Sequence, residues 1–235
     1  MAFAFSHPAP DPDAKPLLPV IREPSWQLCT MPDLGELAGP DPEKQNIVDH
    51  GIIRAEDDTW QLWACLRGTA PGRLIYGWEG EKLTRGPWNP TGVKARAETQ
   101  FGERVTENGT ETIGAPFFHR MGDEYLCFYH SAGICLMTSA DGRHFTRRLN
   151  TKGTSALPCF GGRDAMVLED NGLIHLFSCV TTASDGCVRS FVALAVSRDM
   201  EEWSDYINVS EGGIAGCGGV SAESPFVVKR GGYYY

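Results

Sequence analysis

Three carboxylates open apolar, strand-like stretches of the sequence. They are Asp49 in "VDHGII", Asp164 in "RDAMVL" and Glu223 in "ESPFVV". Pro225 restricts Ser224 to an extended conformation and cannot donate a ladder hydrogen bond. Glu223 is therefore expected at the mouth of a strand rather than within its ladder.

The chemistry open to such a set depends on whether the fold brings the acids together. Converging carboxylates repel one another, so a compact fold avoids them unless they have a use. Glycoside hydrolysis is one such use, because it needs a general acid and a second carboxylate as base or nucleophile, and a third can keep the acid protonated. The alternative for any single acid is structural: it caps a strand, bonds a backbone N–H, or pairs with Arg54 or Arg163.

A unit of strands and turns recurs around these acids, with copies that open at Asp49, Ala115, Asp164 and Glu223. Each copy has an apolar strand, a turn and an aromatic-rich strand, and the complete copies add a third strand and a short fourth. Gly, Asn and Asp in the turns supply the positive φ of tight hairpins, and no segment keeps a helical period over three turns. A period of roughly 40–60 residues favours a β-propeller over a β-sandwich, which would not repeat one unit four times.

A propeller predicts that the acids converge. The first strand of each blade lines the central channel, so the residues that open these strands should meet at one mouth. The four copies should place Asp49, Ala115, Asp164 and Glu223 at equivalent positions there. Three of the four are acidic, which supplies the two carboxylates that the hydrolysis of a glycosidic bond needs and a third beside them.

The stretches "IVDHGII", "IGAPFFHR", "GGRDAMV" and "SAESPFVV", with "TSADGRHF" as the blade-closing turn, resemble the five-bladed β-propeller glycoside hydrolases, the group that includes families 43, 32, 62 and 117. The resemblance covers residues 46–235. It implies a base or nucleophile role for Asp49, pKa tuning and substrate contact for Asp164, and general acid catalysis by Glu223. The Asp49-His50 start and the Arg163-Asp164-Ala165 sequence differ from the retaining, invertase-like branch. This difference favours inversion, and it leaves the identity of the sugar open.

Two regions follow from this pattern. Residues 1–45 are rich in proline and acidic groups and predict an extended N-terminal lead-in, with Trp26 and Leu28 packed on the body. Residues 46–235 predict a partial catalytic domain. The sequence stops within the fourth copy, so we expect an all-β, five-bladed type of propeller that is truncated at its C-terminus, with about three and a half blades present.

Four further residues are candidates for binding substrate: His50, His130, Arg163 and Trp63. Arg163 precedes Asp164 and should keep that carboxylate charged, whereas Trp63 could stack on a sugar ring or pack between blades. No Cys/His cluster has zinc spacing, so no metal ligand is assigned. No cofactor is predicted, although the resemblance leaves room for a structural calcium or sodium ion in the central channel.

Composition narrows the partners and the compartment. A net charge of −9 argues against nucleic acid and anionic membranes, so we expect a neutral carbohydrate substrate and a monomer. The N-terminus lacks a basic region and an apolar run of signal-peptide type, which predicts a cytoplasmic protein. The eight cysteines form no CxxC pair and are interpreted as free, buried small hydrophobes. Their even number keeps a secreted, disulfide-bonded form as the alternative.

The sequence therefore predicts a glycoside hydrolase that cleaves neutral oligo- or polysaccharides by inversion, with an Asp base and a Glu acid. The alternatives are a sugar-binding propeller without turnover, which includes an inactive hydrolase fragment, and a scaffold propeller that binds protein.

Overall fold

The computed structural model describes residues 20, 27–84, 86–159, 161–184, 186–212 and 217–235. These residues contain sixteen strands, three short 3-10 helices and no α-helix, and no described helix has the length and hydropathy to cross a membrane. The strands are β1 (Asn46–Arg54), β2 (Trp60–Thr69), β3 (Gly72–Gly80), β4 (Asn89–Ala95), β5 (Arg104–Val105), β6 (Glu111–Thr112), β7 (Gly114–Met121), β8 (Glu124–His130), β9 (Ile134–Ser139), β10 (Thr146–Arg147), β11 (Arg163–Asp170), β12 (Leu173–Ser184), β13 (Cys187–Ser197), β14 (Ile207–Glu211), β15 (Lys229–Arg230) and β16 (Tyr233–Tyr234). The 3-10 helices are Gly35–Leu37, Pro42–Lys44 and Thr99–Phe101.

Three four-stranded antiparallel sheets follow one another along the chain. They are β1-β2-β3-β4, β7-β8-β9-β10 and β11-β12-β13-β14, and the short pair β5-β6 attaches to the first sheet beside β3. The first strands β1, β7 and β11 are neighbours in space, and a two-stranded hairpin, β15-β16, follows them in sequence. Sheets that begin at a common centre and run outwards in strand order are propeller blades. The predicted all-β propeller with about three and a half blades is confirmed.

The predicted hairpin turns lie where the glycines and asparagines placed them. Asn171 and Gly172 join β11 to β12 with φ of 52° and 71°, and Gly231 and Gly232 join β15 to β16 with φ of 59° and 81°. Two consecutive positive φ values match the right-handed twist of the flanking strands. The sequence thus specifies both the position and the geometry of these turns.

The core consists of apolar layers between neighbouring blades. Trp63 lies between the first and second blades, with its ring 5.2 Å from Phe118 and 5.0 Å from Phe145 in edge-to-face contacts. A second layer joins Leu126 and Phe128 of the second blade to Leu176 of the third. These layers fix the blades around the central axis and so fix the residues that open the inner strands.

The described part of the lead-in packs on the other face of the first blade. Leu34 is buried there beside Leu66 and Trp78, with Leu28 partly buried against the same cluster. Ala38 forms an isolated bridge with Thr69. The predicted contact of Trp26 lies outside the described residues, and the division of the chain at residue 45 stays a prediction.

The fourth copy differs from its prediction. The "FVV" segment at 226–228 is not a strand, and Phe226 is 73% exposed. Pairing begins only at Val228, which exchanges backbone hydrogen bonds with Tyr235. Pro225 has no N–H to donate, and the residues between it and Val228 have no partner strand in the described chain.

One pair of cysteines also departs from the prediction of free thiols. Cys187 and Cys217 form a disulfide, whereas Cys29, Cys65, Cys127, Cys135, Cys159 and Cys179 are free. A parallel β-bridge between Arg189 and Gly218 lies beside this pair. The Cα atoms of Cys187 and Cys217 are 5.7 Å apart, which is an ordinary distance for a disulfide. Spacing in the sequence does not reveal such a pair, because the pairing depends on the fold.

Candidate active site

The first strand of each complete blade opens with the same backbone irregularity. Asp49, Ala115 and Asp164 have φ of 45°, 48° and 56°, and the strand register shifts at each of these positions. A bulge of this kind re-aims a side chain out of the ladder and towards the centre of the fold. The left-handed conformation costs a non-glycine residue about 1–2 kcal/mol, so the surrounding blade must enforce it.

The fourth copy follows this rule with a shift of one residue. Ser224 has φ of 50°, like Asp49 and Asp164, so the expectation of an extended residue before Pro225 is wrong, and Glu223 precedes this bulged residue. Glu223 is therefore the counterpart of Arg163, and the expectation that it is equivalent to the two aspartates is wrong. An alignment of "APF" in the second copy on "SPF" in the fourth gives the correct register, because the two prolines follow the bulged residue.

The structure nevertheless brings the three acids into one cavity of about 360 Å³. Asp164 is the most enclosed, with 12% of its side chain exposed, against 28% for Asp49 and 37% for Glu223. An oxygen of Asp164 lies within 4.8 Å of an oxygen of Glu223. The basic and imidazole groups that line the same cavity are Arg67, Arg73, Arg163 and His130.

Arg163 is bound mainly to Glu223. Its Nε and Nη2 donate to Oε1 of Glu223 at 2.9 and 2.7 Å, and Nη2 also donates to the carbonyl of Gly219 at 2.6 Å. Its Nη1 donates to the hydroxyl of Thr181 at 2.7 Å. The nearest oxygen of Asp164 is 3.7 Å from Nε. This guanidinium therefore fixes the position of Glu223 and only flanks Asp164.

The pKa of Asp164 is raised above its ordinary value. Burial is the largest cause, and the negative charges of Asp49 and Glu223 add to it, while Arg163 opposes them. Arg163 offsets only part of this rise, because the guanidinium makes its short contacts with Glu223, and the expectation that Arg163 keeps Asp164 charged stays a prediction. Asp164 is the acid of this cavity whose proton the surroundings favour.

Apart from Arg163, three residues were predicted to bind substrate, and each of them lies in a different place. His130 lines the cavity with its Nδ1 buried and unpartnered, and burial together with Arg73, Arg163 and Arg104 lowers its pKa to about 4. A neutral imidazole at the wall of the cavity follows from this environment.

His50 lies on a different wall. It lines a neighbouring cavity of about 320 Å³, which shares Asp49 and Asp164 with the first and is otherwise bounded by small and apolar residues such as Phe117. The shared acids separate the two cavities. His50 is therefore placed behind the carboxylates rather than beside the arginines.

Trp63 is not in either cavity. Only 2% of the residue is exposed, and its ring is enclosed between two blades. The prediction that it binds substrate is wrong, because the alternation along β2 directs this side chain into the interblade core. The alternative of blade-to-blade packing describes it.

The side chains of the site can be compared with the ligands that a metal ion requires. Within the described ranges, one group of three candidate ligands converges: Asp164, Cys179 and Glu223. Calcium takes six to eight oxygen ligands, and a thiol is not one of them. Arg163 already holds the Glu223 carboxylate. These residues do not fit a calcium site, and no step of the chemistry below involves a metal.

Sequence reasoning did not identify Arg73, a charged residue that lines the cavity. It is the second residue of β3, in "RLIYGW", where a charged side chain precedes a run of apolar residues. That position was the available signal. The repeat did not point to it, because Arg73 belongs to a third strand rather than to the strand that lines the channel.

Comparisons with known proteins address the fold. Neither a protein-family model nor a curated protein sequence matches this chain. A thermostable family-43 glycoside hydrolase superposes with a TM-score of 0.59 and 20% identity, over 84% of this chain and 64% of that one. An endo-1,4-beta-xylanase from Bacteroides thetaiotaomicron gives 0.57 and 17%, over 81% and 62%. A family 117 glycoside hydrolase produced by the marine bacterium Zobellia galactanivorans gives 0.52 and 14%, over 76% and 62%.

In each of these matches the chain spans less than two thirds of the length of the known structure. The likeness is one of architecture, at 20% identity or less. It agrees with the resemblance that the strand-opening motifs indicated. The chain has the fold of the five-bladed β-propeller glycoside hydrolases.

Proposed function

We propose that this protein is a glycoside hydrolase that cleaves O-glycosidic bonds of oligo- or polysaccharides. The observation that carries the proposal is the convergence of Asp49, Asp164 and Glu223, from three separate repeats, on one cavity. A cavity of this kind offers the two carboxylates that glycoside hydrolysis needs, with a third beside them. The likeness in fold to several glycoside hydrolases supports the same reaction class.

In the proposed mechanism Asp49 acts as the base and Glu223 as the acid. Asp49 takes a proton from a water molecule, which attacks the anomeric carbon, while Glu223 protonates the leaving oxygen. Asp164 has an oxygen within 4.8 Å of an oxygen of Glu223 and is the carboxyl group that holds a proton beside the acid. The raised pKa of Asp164 supports this arrangement.

Arg163 positions the acid. Its two short contacts to Oε1 leave Oε2 of Glu223 outside these hydrogen bonds. These contacts hold the carboxyl group in place and leave Oε2 as the oxygen that can carry the proton for the leaving group.

The test is an assay of the purified protein on panels of aryl glycosides and oligosaccharides. Glu223→Gln is expected to lower the rate on oligosaccharides by roughly 10²- to 10⁴-fold and to affect activated aryl glycosides less, because those need no proton at the leaving oxygen. Glu124→Gln, which alters an exposed glutamate of β8 away from the cavity, is the matched control. An unchanged rate for Glu223→Gln on oligosaccharides refutes the acid assignment.

The same panel separates the proposal from its alternatives. A protein that binds sugars in a manner dependent on Asp49 but turns none over is a carbohydrate-binding propeller. The anomeric configuration of the first product, read by NMR, tests inversion. Inversion goes with carboxyl groups about 6.5–9.5 Å apart and retention with about 5–5.5 Å.

A further inference from the structure

Arg73 is a cation of the cavity for which the described chain provides no partner. Its side chain lines the cavity with the three acids, and the residue is half-buried. No ion pair or hydrogen bond joins this guanidinium to any of the residues that the structure describes, whereas Arg163 has Glu223 and Arg67 has Asp49. A guanidinium that lines a cavity and has no partner there is available to pair with a ligand.

Arg67 reinforces this charge from the neighbouring strand. Leu66 pairs with Leu74 across β2 and β3, and Arg67 and Arg73 are the next residues towards the turn. Like charges at neighbouring cross-strand positions destabilise a sheet. The one acid that Arg67 contacts, Asp49, is 3.4 Å away, and Arg67 Nε is buried without a partner. This wall thus carries two guanidiniums, of which only Arg67 contacts a carboxylate.

His130 adds no positive charge to the same wall. It is held neutral by burial and by the arginines around it, and its Nδ1 lacks a partner. The wall therefore offers one uncommitted guanidinium, one that is partly committed, and a neutral imidazole with hydrogen-bonding capacity. This combination suits an oxyanion, whose oxygens accept from the planar fork of an arginine.

We infer that Arg73, with Arg67 beside it, binds an anionic group carried by the sugar substrate, either the carboxylate of a uronic acid or a sulfate ester. The inference deepens the proposed function and rests on it for the statement that the ligand is a substrate. It differs from the neutral sugar that the net charge of −9 favours. Net charge describes the whole chain, whereas selection in a cavity depends on the groups that line it.

Binding measurements on the whole protein test this directly. Isothermal titration with glucuronic and galacturonic acid, with their neutral counterparts glucose and galactose, and with glucose 6-sulfate compares the sugar classes. Inorganic phosphate and inorganic sulfate form separate arms. We expect the acidic or sulfated sugars to bind more tightly than the neutral ones, with affinity that falls as salt is added.

Arg73→Gln is the decisive variant. It is expected to weaken the anionic sugar by roughly 10- to 100-fold, which is the effect of losing a hydrogen bond between charged groups, and to leave the neutral sugar unchanged. Arg54→Gln is the matched control, since it removes the same charge from the first blade at a residue whose partner is the surface Asp58. Arg73→Lys should restore part of the affinity, because it keeps the charge without the fork.

Thermal unfolding distinguishes a binding role from a structural one. Since Arg73 has no partner to lose, Arg73→Gln should leave the melting temperature unchanged or raise it. A clear fall in melting temperature contradicts the inference, as do equal affinities for acidic and neutral sugars. Binding of inorganic phosphate or sulfate without binding of any anionic sugar contradicts it too, because the anion would then not be part of a sugar.

The two proposals fail in different ways. Arg73-dependent binding of an anionic sugar without turnover of any glycoside refutes the hydrolase and leaves this inference standing. Turnover of glycosides, combined with binding of anionic sugars that Arg73→Gln does not weaken, refutes this inference and leaves the hydrolase standing.

Discussion

The inner strands of the second and third blades share a backbone and differ in chemistry. Ala115 and Asp164 both have left-handed φ at a shift in register, yet one presents a methyl group and the other a carboxyl with a raised pKa. The strained conformation therefore belongs to the blade and is present whether or not an acid occupies it. The fold determines a backbone position that faces the central axis, and the residue at that position determines which chemical group is present there.

The residues just before this position extend the comparison. In the second blade Gly114 has no room for a side chain, since a Cβ there would lie 2.8 Å from Cys65 Sγ. The third blade places Arg163 at this point, and the fourth copy places Glu223, and these two bind each other. One position thus serves packing in one blade and an ion pair of the cavity in two others.

The largest expected effect follows from replacing the carboxyl that distinguishes the two blades. Asp164→Asn should lower kcat/KM for a glycoside substrate by roughly 10²- to 10⁴-fold, with the fold retained, because asparagine also accepts the left-handed conformation. Ala115→Ser, at the equivalent point of the acid-free blade, is the comparison and should change kcat/KM far less. Similar losses in both variants would mean that the activity depends on the bulge rather than on the acid.

The fold was more predictable from the sequence than the register of the site. The repeated strand and turn units specify the propeller, and Asn171-Gly172 specifies a hairpin by local chemistry alone. Glu223 was assigned to the wrong member of its bulge because the copies were aligned on their acids, whereas the backbone follows Pro225 and Pro116.

Other features depend on contacts that no pattern contains. Alternation along β2 assigns Trp63 to one face of the strand. That face is buried only because the neighbouring blade packs against it, and the pattern within β2 does not show this contact. The Cys187–Cys217 disulfide requires a loop to return beside β13. The raised pKa of Asp164 depends first on its burial and then on the distances to Asp49, Arg163 and Glu223, which no sequence pattern contains.

A smaller effect, on stability, should follow from relieving the left-handed backbone that the second and third blades share. Ala115→Gly is expected to stabilise the protein by about 1 kcal/mol, because glycine adopts positive φ without the clash of a Cβ. Ala165→Gly, a buried alanine of β11 without a positive φ, should instead destabilise it by about 0.5–1 kcal/mol. Urea unfolding of both variants measures the difference. If both lose stability, the bulge of the second blade is not strained.

The smallest effect concerns pH. Below both pKa values Asp164 is protonated in the folded and unfolded chains and does not alter stability. As the pH rises through the unfolded-chain value of about 3.9, the unfolded chain releases its proton first, so the folded protein loses stability until the pH passes the raised folded-state pKa. The stability of Asp164→Asn relative to the wild type should therefore increase over this interval and then level off.

Asp170 provides the opposite case on the same strand. Lys229 and Tyr234 lower its pKa, so its contribution is present above the unfolded-chain value and disappears as the pH falls through the folded one. Asp170→Asn should accordingly lose stability relative to the wild type as the pH rises, where Asp164→Asn gains it. Melting temperatures of the three proteins between pH 3 and pH 7 measure both trends. A difference for Asp164→Asn that does not vary with pH would show that Asp49 and Glu223 are too far away, and the burial too slight, to hold a proton in the cavity.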